Sequence, residues 1–205
     1  MTSQYPSETE QVRAEIAAVA ARMIAEDGAD YGSAKRKAAK QILGGAKVKG
    51  DFMPDNAQVE DEVRIYNELF FGDTQPARLL ALRRLALQLM AELAQFKPYL
   101  TGAVLNGTAG AHSDIHLHLF SESPKDVEIY LINKDIHFEV SETSHFKDRS
   151  ALVETVSFMW KNEGIHLALY EQDDLRGAVK QTGTKRTERA DAIAVRALIA
   201  ENDVE

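Results

Sequence analysis

The stretch that most constrains this chain is residues 102–120, Gly102-Ala-Val-Leu-Asn-Gly-Thr-Ala-Gly-Ala-His-Ser-Asp-Ile-His-Leu-His-Leu-Phe120. An apolar run ends in Gly107-Thr108, a turn of small residues follows, and a strictly alternating run comes next. Alternation is the period of a strand, so Asp114, His116 and His118 should share one face, with Ile115, Leu117 and Leu119 on the other. A carboxylate and two imidazoles projecting together beside a glycine-rich turn is the arrangement a metal or phosphate site needs. No other stretch points as clearly to chemistry.

Composition narrows the classes around that stretch. A chain of 205 residues suits one domain, or one domain with a helical extension. With no cysteine, disulfides and thiolate-zinc sites are excluded, and a reducing, cytoplasmic setting is the expectation. The first ten residues are polar, unlike a signal peptide, and no apolar run reaches the roughly 20 residues of a membrane span. A net charge of −8 speaks against indiscriminate binding to nucleic acid or anionic membrane. The charge is uneven: Lys35, Arg36, Lys37, Lys40, Lys47 and Lys49 lie in a segment, 31–50, that contains no acid, while the next twenty residues are strongly acidic.

In order, Ser7 and Glu10 have capping-box spacing, and Val12, Ile16, Val19 and Met23 recur at helical intervals up to Gly28. A second helix is expected from Ser33 to Leu43, a third from about Asp55 to Phe70, and a fourth, the longest, from Pro76 to Lys97-Pro98. Arg78, Arg83 and Arg84 supply the polar side of that fourth helix. A strand over Thr101–Asn106 follows, then the alternating strand. Ser123-Pro124 with Asp126 predicts a helix to Asn133, and Ile136–Val140 a third strand placing His137 and Glu139 on one face. Leu152–Trp160 and Ile165–Tyr170 read as a hairpin with Gly164 in its turn. The basic pair Lys185-Arg186 leads to a last helix over about 187–200. The expected fold class is α+β: a small mixed sheet with helices mainly on one face, residues 74–205, preceded by an all-helical region, 1–73.

With these elements placed, the chain resembles the nucleotidyltransferase superfamily typified by polymerase β, particularly its minimal members. Gly107-Thr108 stands at the family's Gly-Ser or Gly-Gly pair, Ser113-Asp114-Ile115-His116 at its acid-apolar-acid motif, and Glu139 at its third carboxylate. The resemblance covers about residues 75–140. It implies transfer of a nucleotidyl group from a nucleoside triphosphate to an acceptor, with carboxylates holding divalent cations against the phosphates. It further implies Asp114 as principal metal ligand, Glu139 as second acid or base, and Gly107 and Thr108 as a phosphate cradle. Asp114, His116 and Glu139 would then be the metal set. Two departures stand out: His116 replaces the second acid, and the turn from Gly107 to Asp114 is shorter than in most active members. Magnesium or manganese is the cofactor the family implies, and an imidazole at 116 suits a softer ion.

The departures open a second reading, a catalytically inactive nucleotidyltransferase-like module that binds or regulates, pairing with a partner protein through its N-terminal helices. A third, nucleic-acid binding through Lys35, Arg36, Lys37 and Lys40, is opposed by the net charge and by the lack of interleaved aromatics.

Overall fold

The structure is a computed structural model and describes residues 7–44, 50–148, 150–178 and 188–202. Ser7 accepts from the Glu10 backbone amide while the Glu10 carboxylate takes the Ser7 N–H, and this capping box opens α1 (Glu8–Asp27). Gly28, at φ 66°, closes it in the left-handed region. Asp30, not Ser33, caps α2 (Tyr31–Leu43); its carboxylate accepts from the Ser33 amide, so the helix starts about a turn earlier than the sequence suggests. A second capping box, Asp55 with Gln58, opens α3 (Asn56–Phe71). These helices meet through Ile16, Ala17, Ala20, Ala21, Ala34, Ala38, Ala39, Val59 and Val63, all buried. Alanine at so many contact positions lets the helix axes approach closely. The basic face of α2 is partly structural: Lys35 Nζ donates to the Pro54 carbonyl and the Asn56 side chain.

The chain divides into two compact units, residues 1–78 with 108–112, and residues 79–107 with 113–205. The division thus falls inside α4 (Gln75–Glu92), and the turn 108–112 returns to the helical unit. There the Asn67 amide donates to the Thr108 carbonyl and Gln75 to that of Ala109.

In the second unit, α4 leads through a short 3-10 turn to β1 (Tyr99–Thr101). The strand expected over Thr101–Asn106 is not formed. Gly102, at φ 67°, turns the chain, and Gly102–Asn106 is a single helical turn, α5. Its apolar Val104 and Leu105 are buried as expected, but their carbonyls are taken by the Arg83 guanidinium at 3.1 Å each. Arg83, assigned to the polar side of its helix by the sequence, is therefore buried. β2 (Ile115–Ser121) is the alternating strand, and α6 (Pro124–Asn133) is the helix predicted from Ser123-Pro124.

The third strand begins later than expected. The Ile136 N–H is used up closing α6, on the Leu131 carbonyl, and Asp135 turns the chain at φ 57°, so β3 is Glu139–Ser144. β4 (Leu152–Trp160) and β5 (Glu163–Glu171) form the predicted hairpin. Its two-residue turn is Lys161-Asn162, both at positive φ, the twist that matches flanking strands. Gly164 is not in the turn but inside β5, opposite Met159. After a short α7 (Leu175–Ala178), residues 188–190 run beside β1 through paired Leu100 and Ala190, which delays α8 to Ala192–Asn202. Lys47, Lys49, Lys185 and Arg186 lie outside the described residues.

The result is α+β with an open, mixed five-stranded sheet in the order β1-β2-β5-β4-β3. Only β2 and β5 run parallel. One face carries Leu100, Ile115, Leu117, Leu119, Ile165, Leu167, Leu169, Val156 and Phe158, all buried. α6 packs on this side, where Glu128 meets Glu154 of β4.

Candidate functional site

The other face of the sheet holds the polar residues. Register places Thr101 beside His116, His116 beside His166, His166 beside Ser157, and Ser157 beside Glu139. One transverse row thus crosses all five strands. Asp114 precedes β2 at the edge of this row, and its carboxylate turns onto β5. Its Oδ2 lies 3.0 Å from His166 Nε2, and His166 Nδ1 lies 2.8 Å from Ser157 Oγ. The His116 ring stacks on His166, centroids 4.6 Å apart and planes 18° from parallel.

Glycine makes this possible. A Cβ at Gly164 would lie 2.6 Å from Asp114 Cγ and collide with Oδ1, so a side chain there would push the carboxylate off His166. The carboxylate can only accept, so the proton on His166 sits on Nε2 and points at Asp114. Nδ1 is then a lone pair facing Ser157, whose hydroxyl donates to it. Asp114, His166 and Ser157 are a relay in which one group fixes the tautomer and the next accepts the serine proton. Side chains of His166 and Asp114 keep 31% and 46% of their surface open to solvent, so the relay can be reached from the sheet face. Although the His116 side chain stays exposed on the sheet face, partial desolvation of its ring, then the neighbouring His166, holds it below the usual imidazole range against the pull of Asp114.

His118, two residues along β2, belongs to a different structure. It packs against Tyr170 at 4.7 Å and Phe146 at 6.1 Å, and its Nδ1 accepts from Arg189 Nε. Arg189 reaches it because residue 190 pairs with β1 and residue 189 therefore faces the opposite side of the sheet. The guanidinium also lies 4.1 Å over the Phe146 ring, and Lys147 and His145 tie the loop down onto Asp174. Burial and the Arg189 charge push His118 down to about 3. Its ring is a neutral member of an aromatic cluster.

The residues expected to form the site are therefore only partly brought together. Asp114 and His116 are neighbours on β2. Glu139 is in the same row but three strands away, about 14 Å at the usual strand spacing. Two such groups cannot ligate one ion, and no cluster of three or more His, Asp or Glu suited to a metal occurs among the described residues. A two-cation centre does not fit this donor set. Gly107 ends α5 at φ 87°, and Thr108 is buried in the helical unit, its hydroxyl 3.5 Å from that of Tyr31. That hydroxyl is not offered to a phosphate. His112 packs against Gly28, and His137 lies before β3. A cavity of about 480 Å³ between Lys97, Phe120, Glu122, Asp126, Tyr130 and Gln172 opens at the far ends of β2 and β5, away from the relay.

His166 and Ser157 were missed by motif reading, although a signal existed. A two-residue turn at Lys161-Asn162 pairs Trp160 with Glu163 and, counting back, Ser157 with His166. The chain was also compared with known proteins: no protein-family model matches it, and neither a curated protein nor a solved structure does.

Proposed function

We propose that residues 79–107 with 113–205 are the core of a nucleotidyltransferase-like module that binds or regulates and does not transfer nucleotides. The order of motifs from Gly107 through Asp114, on a mixed sheet, supports the family likeness. The observation that carries the loss of transfer is the commitment of the Asp114 carboxylate to His166 rather than to a second acid. His116 fills the position of that acid with a ring stacked on His166, and Glu139 stands three strands away.

Incubation with labelled nucleoside triphosphates and Mg²⁺ or Mn²⁺ tests this. The expected result is no pyrophosphate release and no labelled product. Metal-dependent release that disappears in Asp114→Ala would overturn the proposal and restore the transferase reading.

A further inference from the structure

We infer that Ser157 is a nucleophile, activated by His166 and oriented through Asp114, able to form a covalent intermediate with small activated acyl or phosphonyl donors. The inference does not depend on nucleotide binding. It rests on three hydrogen-bonded groups, on their direction, and on a glycine that makes their approach possible.

The direction follows from the donor inventory. Asp114 can only accept, so the neutral His166 ring donates from Nε2 and accepts at Nδ1. The neighbour at Nδ1 is a hydroxyl, 2.8 Å away, which therefore gives its hydrogen to the ring and leaves the Ser157 oxygen lone pairs free to attack. Nucleophile to base and base to orienting group are both within hydrogen-bond reach, the two relations that activate a serine. The cross-strand register of a tight hairpin holds Ser157 and His166 side by side on rigid backbone. Both side chains are on the face opposite the hydrophobic layer, and Ser157 is only partly covered. The three atoms nearest to a Cβ at Gly164 all belong to the Asp114 carboxylate, so the glycine is what lets that group reach His166.

With an ester, the Ser157 Oγ–C bond forms as the ester C–O bond breaks. The serine proton passes to His166 Nδ1 and then to the departing alkoxide. Water repeats the sequence, its proton going to Nδ1 and back to Ser157 Oγ as the carboxylic acid leaves. With a fluorophosphonate, the O–P bond forms, fluoride departs, and the proton stays with His166 until solvent removes it. Asp114 touches neither donor; it is a positioning residue.

The test is incubation of the full-length protein with a fluorophosphonate probe, followed by intact-mass measurement and peptide mapping. The expected result is a single adduct on Ser157, absent in Ser157→Ala and at least about a hundredfold slower in His166→Gln. Gly164→Ala should also slow labelling, and its circular dichroism and melting curve separate that effect from misfolding. For Asp114→Asn, labelling should slow together with a change in the His166 ring-nitrogen shifts, a signature that lost stability alone would not produce. Ser157 left unmodified in folded wild-type protein would overturn the inference, as would equal labelling rates in folded wild type and His166→Gln. Neither outcome depends on pyrophosphate release, so this failure is distinct from failure of the functional proposal above.

Discussion

At the scale of single residues, His116 and His118 on β2 are both held below the usual imidazole range, His118 the further. His118 is half-buried with Arg189 beside it and keeps a folded-state value of about 3, against about 6.5 for an unfolded imidazole. The unfolded chain therefore binds the extra proton first, and stability is lost as pH falls from about 6.5 toward 3. Below the folded value the loss is complete. Replacing the ring by His118→Phe should lower stability at neutral pH, because Arg189 loses its acceptor, and flatten the acid limb. Melting temperatures between pH 7.5 and 5 will show this; an unchanged slope would mean that His118 is not the linked group. Gly164 belongs to the same scale. Its Cα hydrogens face Asp114, so Gly164→Ala should displace the carboxylate and lengthen the Asp114–His166 contact beyond hydrogen-bond range in a crystal structure of the variant.

At the scale of elements, Arg83 explains why an apolar segment with strand propensity turns helical. Its guanidinium satisfies the carbonyls of Val104 and Leu105 at the end of α5, where they have no partner within the helix. Arg83→Met keeps the stem and removes the donors, which should cost about 2–4 kcal/mol for two buried acceptors. Urea unfolding would measure it, and a loss below about 1 kcal/mol would show that water replaces the guanidinium. Local signals identified the elements that local chemistry determines. The Ser7–Glu10 capping box, the Ser123-Pro124 start of α6, the alternation of β2 and the hairpin were legible. Two failures depended on a distant group, Arg83 converting 102–106 and Ala190 pairing with Leu100 and delaying α8; the closure of α6 on Ile136, which displaces β3, and the Asp30 cap of α2 are local. The site was legible for Asp114 and His116 through period two. His166 and Ser157 needed the register of the hairpin, and Glu139 was misplaced by strand order, which no local pattern encodes.

At the scale of the molecule, the two compact units are not consecutive in sequence. A division near residue 73, suggested by the change from all-helical to mixed composition, would separate residues 108–112 from the helices that hold them. Thr108 and Ala109 are buried, and their carbonyls accept from Asn67 and Gln75. A fragment beginning at residue 74 should therefore bind more of a hydrophobic dye than the intact chain and exchange its amides around 108–112 faster. Equal dye binding and exchange would show that the α/β unit needs nothing from residues 1–73. Among the described residues no helix is long and apolar enough to cross a membrane.

The central claim is that Asp114 fixes the His166 tautomer so that Nδ1 accepts from Ser157. Nitrogen-15 shifts of the His166 ring, read from long-range proton–nitrogen correlation spectra of the full-length protein at neutral pH, test it directly. The account predicts a protonated Nε2 and an unprotonated, hydrogen-bonded Nδ1, with the pattern altered in Asp114→Asn. A protonated Nδ1 in the wild-type protein would contradict it, because the serine would then face a donor.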